Sequence, residues 1–358
     1  MRRILSALAL VLLLLTGAPH ARAQSDPDVV TPADIALVSP IHIVHGDRKL
    51  IAGLSLNLLY GQTWRMYGLE IGAVNHELDA QVGLQLGLVN VVEGDQAILQ
   101  IGALVNVVGR SANGIQLSGL WNHAQHGCRG LCLSGLGNTT DHAVVPLAGD
   151  WSGPGEAESG GLMLSMIGNF LGGHFVGMMI STMNFGAFVG GAQIGVWNTA
   201  LLGMDGVQIG VANINGSLLT DRREYGNMVE TRTQFYRNAH DHALLVSLFN
   251  ASQRFTGVAI GLINMASSQA EGVQLGGFNF SDTIDSGVHP FLTQLGAVNG
   301  AQDMAGVQLG VVNWARDVDG VQIGALNIAR KLRGVQIGGI HIAYESPIPF
   351  LVGVNVGW

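Results

Sequence analysis

The sequence predicts an all-β fold built from tandem units: an antiparallel β-barrel of about 18 strands, with a parallel β-solenoid of 14–16-residue coils as the alternative. Three observations predict it. A motif of the form GVQ(I/L)GxxN returns along most of the chain, apolar and polar residues alternate inside it, and its apolar residues come in short runs broken by Gly, Gln or Asn. Composition agrees: 52 of the 358 residues are Gly and only 12% are charged, about half the usual share.

The chain opens on an address. Arg2 and Arg3 form a positive n-region, Ile4 to Leu15 an apolar run, and Ala21-Arg22-Ala23 a small-x-small site, so residues 1–23 read as a signal peptide with cleavage before Gln24. The run is too short for a membrane-spanning helix, and export is expected. Without Arg2, Arg3 and Arg22 the chain keeps 14 basic residues against 25 acidic ones, a net charge near −11. Nucleic acid is excluded as a partner, because phosphate binding needs clustered Lys and Arg. Residues 24–52 lead into the first repeat, and 53–358 form the repeat domain.

The motif is clearest in the copies beginning at Gly306, Gly320 and Gly334, spaced by 14 residues, and others begin at Gly68, Gly83, Gly114, Gly206, Gly257 and Gly272. Weaker copies start near Gly53, Ile98, Gly130, Gly161, Gly177, Gly191, Ala243, Leu292 and Ile348, giving about 18 units. Within one unit Val307, Leu309 and Val311 alternate with Gln308, Gly310 and Val312, the period that a pleated strand imposes. A helix is disfavoured because Gly at the first and fifth motif positions costs about 1 kcal/mol each against Ala. Polar segments ending in Gly, such as Arg316 to Asp319, read as turns. Two stretches break the rhythm and read as loops: 143–160, with Pro146 and Pro154, and 217–242, the most charged part of the chain.

Barrel and solenoid divide on particular residues. Phe350, Val352, Val354, Val356 and Trp358 alternate along the C-terminus, as in the closing strand of an outer-membrane barrel, and imply as partners the outer-membrane bilayer and the barrel-assembly machinery. The motif Gln residues would then line a polar lumen: Gln85, Gln208, Gln274, Gln308, Gln322 and Gln336, with Gln100, Gln116, Gln193 and Gln294 in the same slot. Against this, identical motifs in consecutive units suit parallel stacking, where the same glutamines form a hydrogen-bonded ladder. Aromatic residues, at 6%, are also thin for two membrane girdles.

The GVQ(I/L)GxxN units, with the C-terminal PFLVGVNVGW, resemble a family of surface repeat proteins from double-membraned bacteria. The resemblance covers roughly Gly53 to Trp358 and is specific from Gly257 onward. It implies an envelope location, read here as the outer membrane or cell surface with the periplasm as alternative, and the family carries no established activity or catalytic motif to transfer. Near Gly130, Gly161 and Gly177 the motif Gln gives way to Cys132, Met163 and Met179.

Chemistry-bearing residues are few. The spacing of Cys128 and Cys132 permits a disulfide in an oxidising compartment. His123 and His126 beside them make a loosely metal-like cluster, but the second well-spaced pair of a structural zinc site is missing. His240-Asp241-His242 closes the charged loop and reads first as a solvated end, second as a metal or acid-base group. No GxSxG, HExxH or P-loop occurs, and Gly186 to Gly195 lacks the Lys-Ser/Thr of a phosphate cradle. No catalytic, metal or cofactor-binding residue is assigned. The function expected is a non-enzymatic barrel acting as a pore or surface scaffold, or else a solenoid serving adhesion or envelope structure.

Overall fold

The computed structural model describes residues 27, 29–39, 41–42, 49–140, 158–216, 241–282, 291–345 and 349–358. The signal segment, and residues 143–157 and 217–240 of the two expected loops, lie outside these. The ends of those loops are strand: Glu158–Leu164 and Asp241–Val246 take part in the sheet.

The chain winds as a parallel β-solenoid, which corrects the antiparallel barrel. Consecutive units pair in parallel and in exact motif register: Gly306 lies beside Gly320, Gln308 beside Gln322 and Asn299 beside Asn313. A barrel would reverse every second unit. In one well-resolved coil the chain runs Ala112–Ser118, turns at 119–120, runs Trp121–Ala124 and turns again at 125–127. The next coil then repeats this as Cys128–Ser134 and Gly137–Thr140, strand on like strand. Strands of seven and four residues are also shorter than the 9–11 that a tilted membrane strand requires.

The lumen is polar and buried, and amide ladders make that tolerable. Sixteen asparagines, from Asn57 to Asn327, and then His341 stand one above another. Each amide nitrogen donates to the next rung at 2.8–3.1 Å. From Asn75 onward the second amide hydrogen goes to a backbone carbonyl of the next coil, as from Asn264 to Leu275. The column runs without a gap across 141–157, 217–240 and 283–290. A second column carries the motif glutamines, which donate the opposite way: Gln100 to Gln85, Gln308 to Gln294, Gln322 to Gln308 and Gln336 to Gln322, at 2.7–2.8 Å. Every one of these amides is buried, and a buried amide left unpaired would cost about 1–3 kcal/mol. Where the Gln is missing, register holds and an apolar stack of Cys132, Met163 and Met179 fills the slot.

Both motif glycines have a structural reason. The fifth-position Gly310 leaves room for the ladder: a Cβ there would lie 2.6 Å from the Asn299 amide nitrogen and 2.3 Å from the Gly296 carbonyl. The first-position glycines adopt positive φ and stack on the preceding coil's carbonyl. Ile98, Ala243 and Leu292 also hold this slot, and of the three Ile98, a β-branched residue, keeps the positive φ, at 91°. Its strain of about 1–3 kcal/mol opposes the half-buried side chain and the entropy cost of Gly, each about 1 kcal/mol. Replacing it with Gly is therefore nearly neutral. In urea unfolding, Ile98→Gly is expected to shift stability by less than about 1 kcal/mol, whereas Ile115→Gly, at an ordinary strand position, costs about 2 kcal/mol.

The two ends differ. Val29–Val38 forms the first layer, parallel to the start of Lys49–Val92, with Ile41–His42 antiparallel on its other edge. At the far end Phe350–Gly357 folds back antiparallel along Gly334 to Ile342. The terminal segment expected to close a barrel is therefore a lid on the last coil. Asn355 is buried and donates to Gln336 at 3.1 Å, and His341 bonds the Gly353 carbonyl at 2.9 Å. Phe350, Val352, Val354, Val356 and Trp358 face outward, exposed.

Candidate functional site: an apolar wedge around a polar lumen

Polarity is inverted relative to an ordinary globular domain. Amides occupy the interior, while 44 large apolar side chains are exposed among the described residues. They are not scattered. The residues flanking the motif Gln point outward, so Ile115, Ile209, Ile260 and Leu309 form columns along one side. Residues flanking the motif Asn do the same on the next side, with Trp197, Phe278, Phe280 and Trp314. Between them the first turn carries a ridge that includes Leu104, Ile167, Val196, Val211, Leu248 and Val311, each 43–61% exposed. Two apolar sides thus meet along an apolar edge.

Exposed ion pairs gather in the turns that lead into the first motif glycine, away from the apolar edge. There Arg65 pairs with Asp79 at 2.5 Å, and Arg110 reaches Asp79 and Asp95 at 3.4 and 3.3 Å. Near the C-terminus Arg316 pairs with Asp303, and Arg330 reaches Asp317 and Glu345 at 3.5 and 3.6 Å. Exposed pairs of this kind stabilise by about 0–1 kcal/mol each.

The residues singled out in the sequence fall as follows. Cys128 and Cys132 are joined by a disulfide and both face the lumen. His123 sits outward against Thr139 at 3.0 Å, and His126 is exposed in a turn, so the four do not converge. Asp241 and His242 point to opposite sides of their strand, Asp241 inward and His242 outward, while His240 lies outside the described residues. The glutamines proposed for a water-filled lumen lie in the closed ladder.

Asp241 occupies a slot that is apolar in most coils. Its carboxylate accepts from Ser252 Oγ and from the Met204 backbone N–H at 2.9 Å. Burial nevertheless pushes it up to about 6, against these bonds and that of Asn215. A folded value above the unfolded 3.9 means that stability is fullest below pH 4 and is lost as pH rises through 6. The loss amounts to about 3 kcal/mol. Urea midpoints at pH 4 and pH 7 should differ accordingly, and Asp241→Asn should flatten that part of the slope.

Sequence reasoning missed a buried acidic pair, Glu70 and Glu77. Glu70 stands in the motif Gln slot of its repeat, which was the available signal. No family model matches the chain, and no curated protein or solved structure is similar to it.

Proposed function

We propose that the chain is an exported, non-enzymatic rod of the cell envelope that lies with its apolar wedge against lipid and its charged side in water. The observation that carries this reading is the continuous apolar edge with an apolar side on either flank. Isolated soluble proteins rarely expose apolar patches beyond a few hundred Å². Lipid contact also demands that no backbone polar group be left unpaired. A solenoid meets that demand along its sides, because the only sheet edges are at its two ends. The signal-peptide pattern of residues 1–23 and the low charge of the sequence support an envelope location.

Flotation on neutral phosphatidylcholine vesicles tests the proposal. The mature chain is expected to float with lipid. A Val211→Lys, Leu248→Lys, Val311→Lys variant should remain at the bottom with an unchanged circular dichroism spectrum, since these side chains are outward. Wild-type protein that stays monodisperse and lipid-free, or that buries the same edge in a discrete oligomer insensitive to lipid, would overturn it.

A further inference from the structure

The N-terminal part of the lumen departs from the ladder. Glu70 takes the Gln slot, and Glu77 stands two residues after the ladder Asn75; both carboxyls are completely buried. Glu70 accepts from Asn57 Nδ2 at 2.7 Å and from Gln85 Nε2 at 3.0 Å, and the same Gln85 nitrogen reaches Glu77 Oε2 at 2.5 Å. The two carboxyls also contact each other, and burial followed by the Glu70 charge holds Glu77 well above the usual carboxylate range. Among the described residues no ion pair joins either one to a Lys, Arg or His.

Unsatisfied polar atoms gather at the same level. Eleven buried side-chain polar atoms have no hydrogen-bond partner among the described residues. Five of them are Glu77 Oε1 and both amide atoms of Gln81 and of Gln96. Gln81 and Gln96 are in register on adjacent coils. They occupy the slot two before the first motif glycine, which faces the slot of Glu77 across the lumen. Elsewhere the same two slots touch: Asp241 bonds Ser252, and Ala112 packs with Val92, Val108 and Ala124. Native interiors leave few such groups, and a clustered set indicates a missing partner.

We propose that this cluster binds one hard cation, Ca²⁺, through the carboxylates of Glu70 and Glu77 and the amide oxygens of Gln81 and Gln96. The donor set is oxygen only, with two negative charges to match a divalent ion. Lack of His and Cys ligands disfavours zinc and copper. Ca²⁺ accepts irregular shells of six to eight oxygens, whereas Mg²⁺ demands a near-ideal octahedron and sheds water reluctantly. The rival occupant is a proton shared between the carboxyls, which relieves the same repulsion but leaves the four amide atoms unpartnered.

The test uses the mature chain, as purified and after refolding from guanidinium in calcium or in chelator. Metal content after desalting and the melting midpoint are measured for wild type and Glu77→Gln. Expected are one calcium per wild-type chain, a higher midpoint in calcium, and at least about tenfold weaker binding in Glu77→Gln. Because Gln at that position removes the repulsion itself, the variant should fold without calcium, which separates lost binding from lost folding. A wild-type chain that retains no calcium and melts identically in chelator would point to the proton alone and overturn the proposal. Equal calcium binding by Glu77→Gln would also overturn it.

Discussion

Replacing Asn313 with Leu should destabilise the solenoid by about 5 kcal/mol, although the two side chains have the same number of heavy atoms and branch at the same carbon. Asn313 accepts from Asn299 at 2.8 Å and donates to the Ile323 carbonyl at 2.9 Å and to Asn327 Oδ1 at 2.8 Å. Leu fills the space and breaks all three, leaving an N–H and two acceptors unpaired in a lumen without bulk water, at about 1–3 kcal/mol each. In a protein whose coils contact only their neighbours, the break also divides the rod. Urea unfolding is therefore expected to change from one transition to two, the flanking segments melting separately. A single transition within 1 kcal/mol of wild type would show that the ladder contributes little beyond filling space.

Gln308→Leu is the informative control. The Gln column already accepts Met163, Met179, Leu245 and Ala259, all buried, whereas the Asn column admits no apolar residue from Asn57 to Asn327. The difference lies in what each amide reaches. From Asn75 to Asn327 each ladder Asn bonds a neighbouring side chain and a carbonyl of the next coil, so its loss disturbs backbone pairing. Gln308 donates to Gln294 at 2.8 Å and accepts from Gln322 at 2.7 Å, but the one backbone carbonyl it reaches, that of Trp314 at 3.3 Å, belongs to its own coil, so no pairing between coils depends on it. Its replacement is expected to cost about 2 kcal/mol.

The same residues explain how much of the fold could be read in advance. Alternation around Gln308 reports that Leu309 lies opposite to Gln308, and it does: one is exposed, the other buried. Alternation says nothing about which way the neighbouring strand runs, so apolar-out, polar-in fitted a barrel as well as a solenoid. The information that separates them is the sameness of consecutive units, because a ladder of like amides requires parallel registry. The terminal strand misled for a related reason. Phe350, Val352, Val354 and Val356 face outward on a lid as they would toward lipid on a barrel. Glu70 was visible as an acid in a Gln slot, but Glu77, Gln81 and Gln96 join it only through the winding of the lumen.

Gly191→Ala should cost about 4 kcal/mol while Gly190→Ala, one residue earlier, is neutral or slightly stabilising. At Gly191 the backbone has φ +119°, and a Cβ would lie 2.1 Å from the Gly177 carbonyl oxygen of the coil below, itself a glycine in the same slot. Strain at such a φ is about 1–3 kcal/mol, and relieving the overlap means separating two coils and giving up at least one buried backbone hydrogen bond, another 1–3 kcal/mol or so. At Gly190 the nearest atoms to an added Cβ are Val176 Cγ2 at 3.6 Å and the Phe175 carbonyl at 3.7 Å, ordinary contacts. Ala there restricts the unfolded chain and gains up to about 1 kcal/mol. Thermal melts of the two variants side by side thus test the winding itself, since in an antiparallel barrel no carbonyl of a like glycine would sit beneath residue 191 and the two substitutions would not differ in this way.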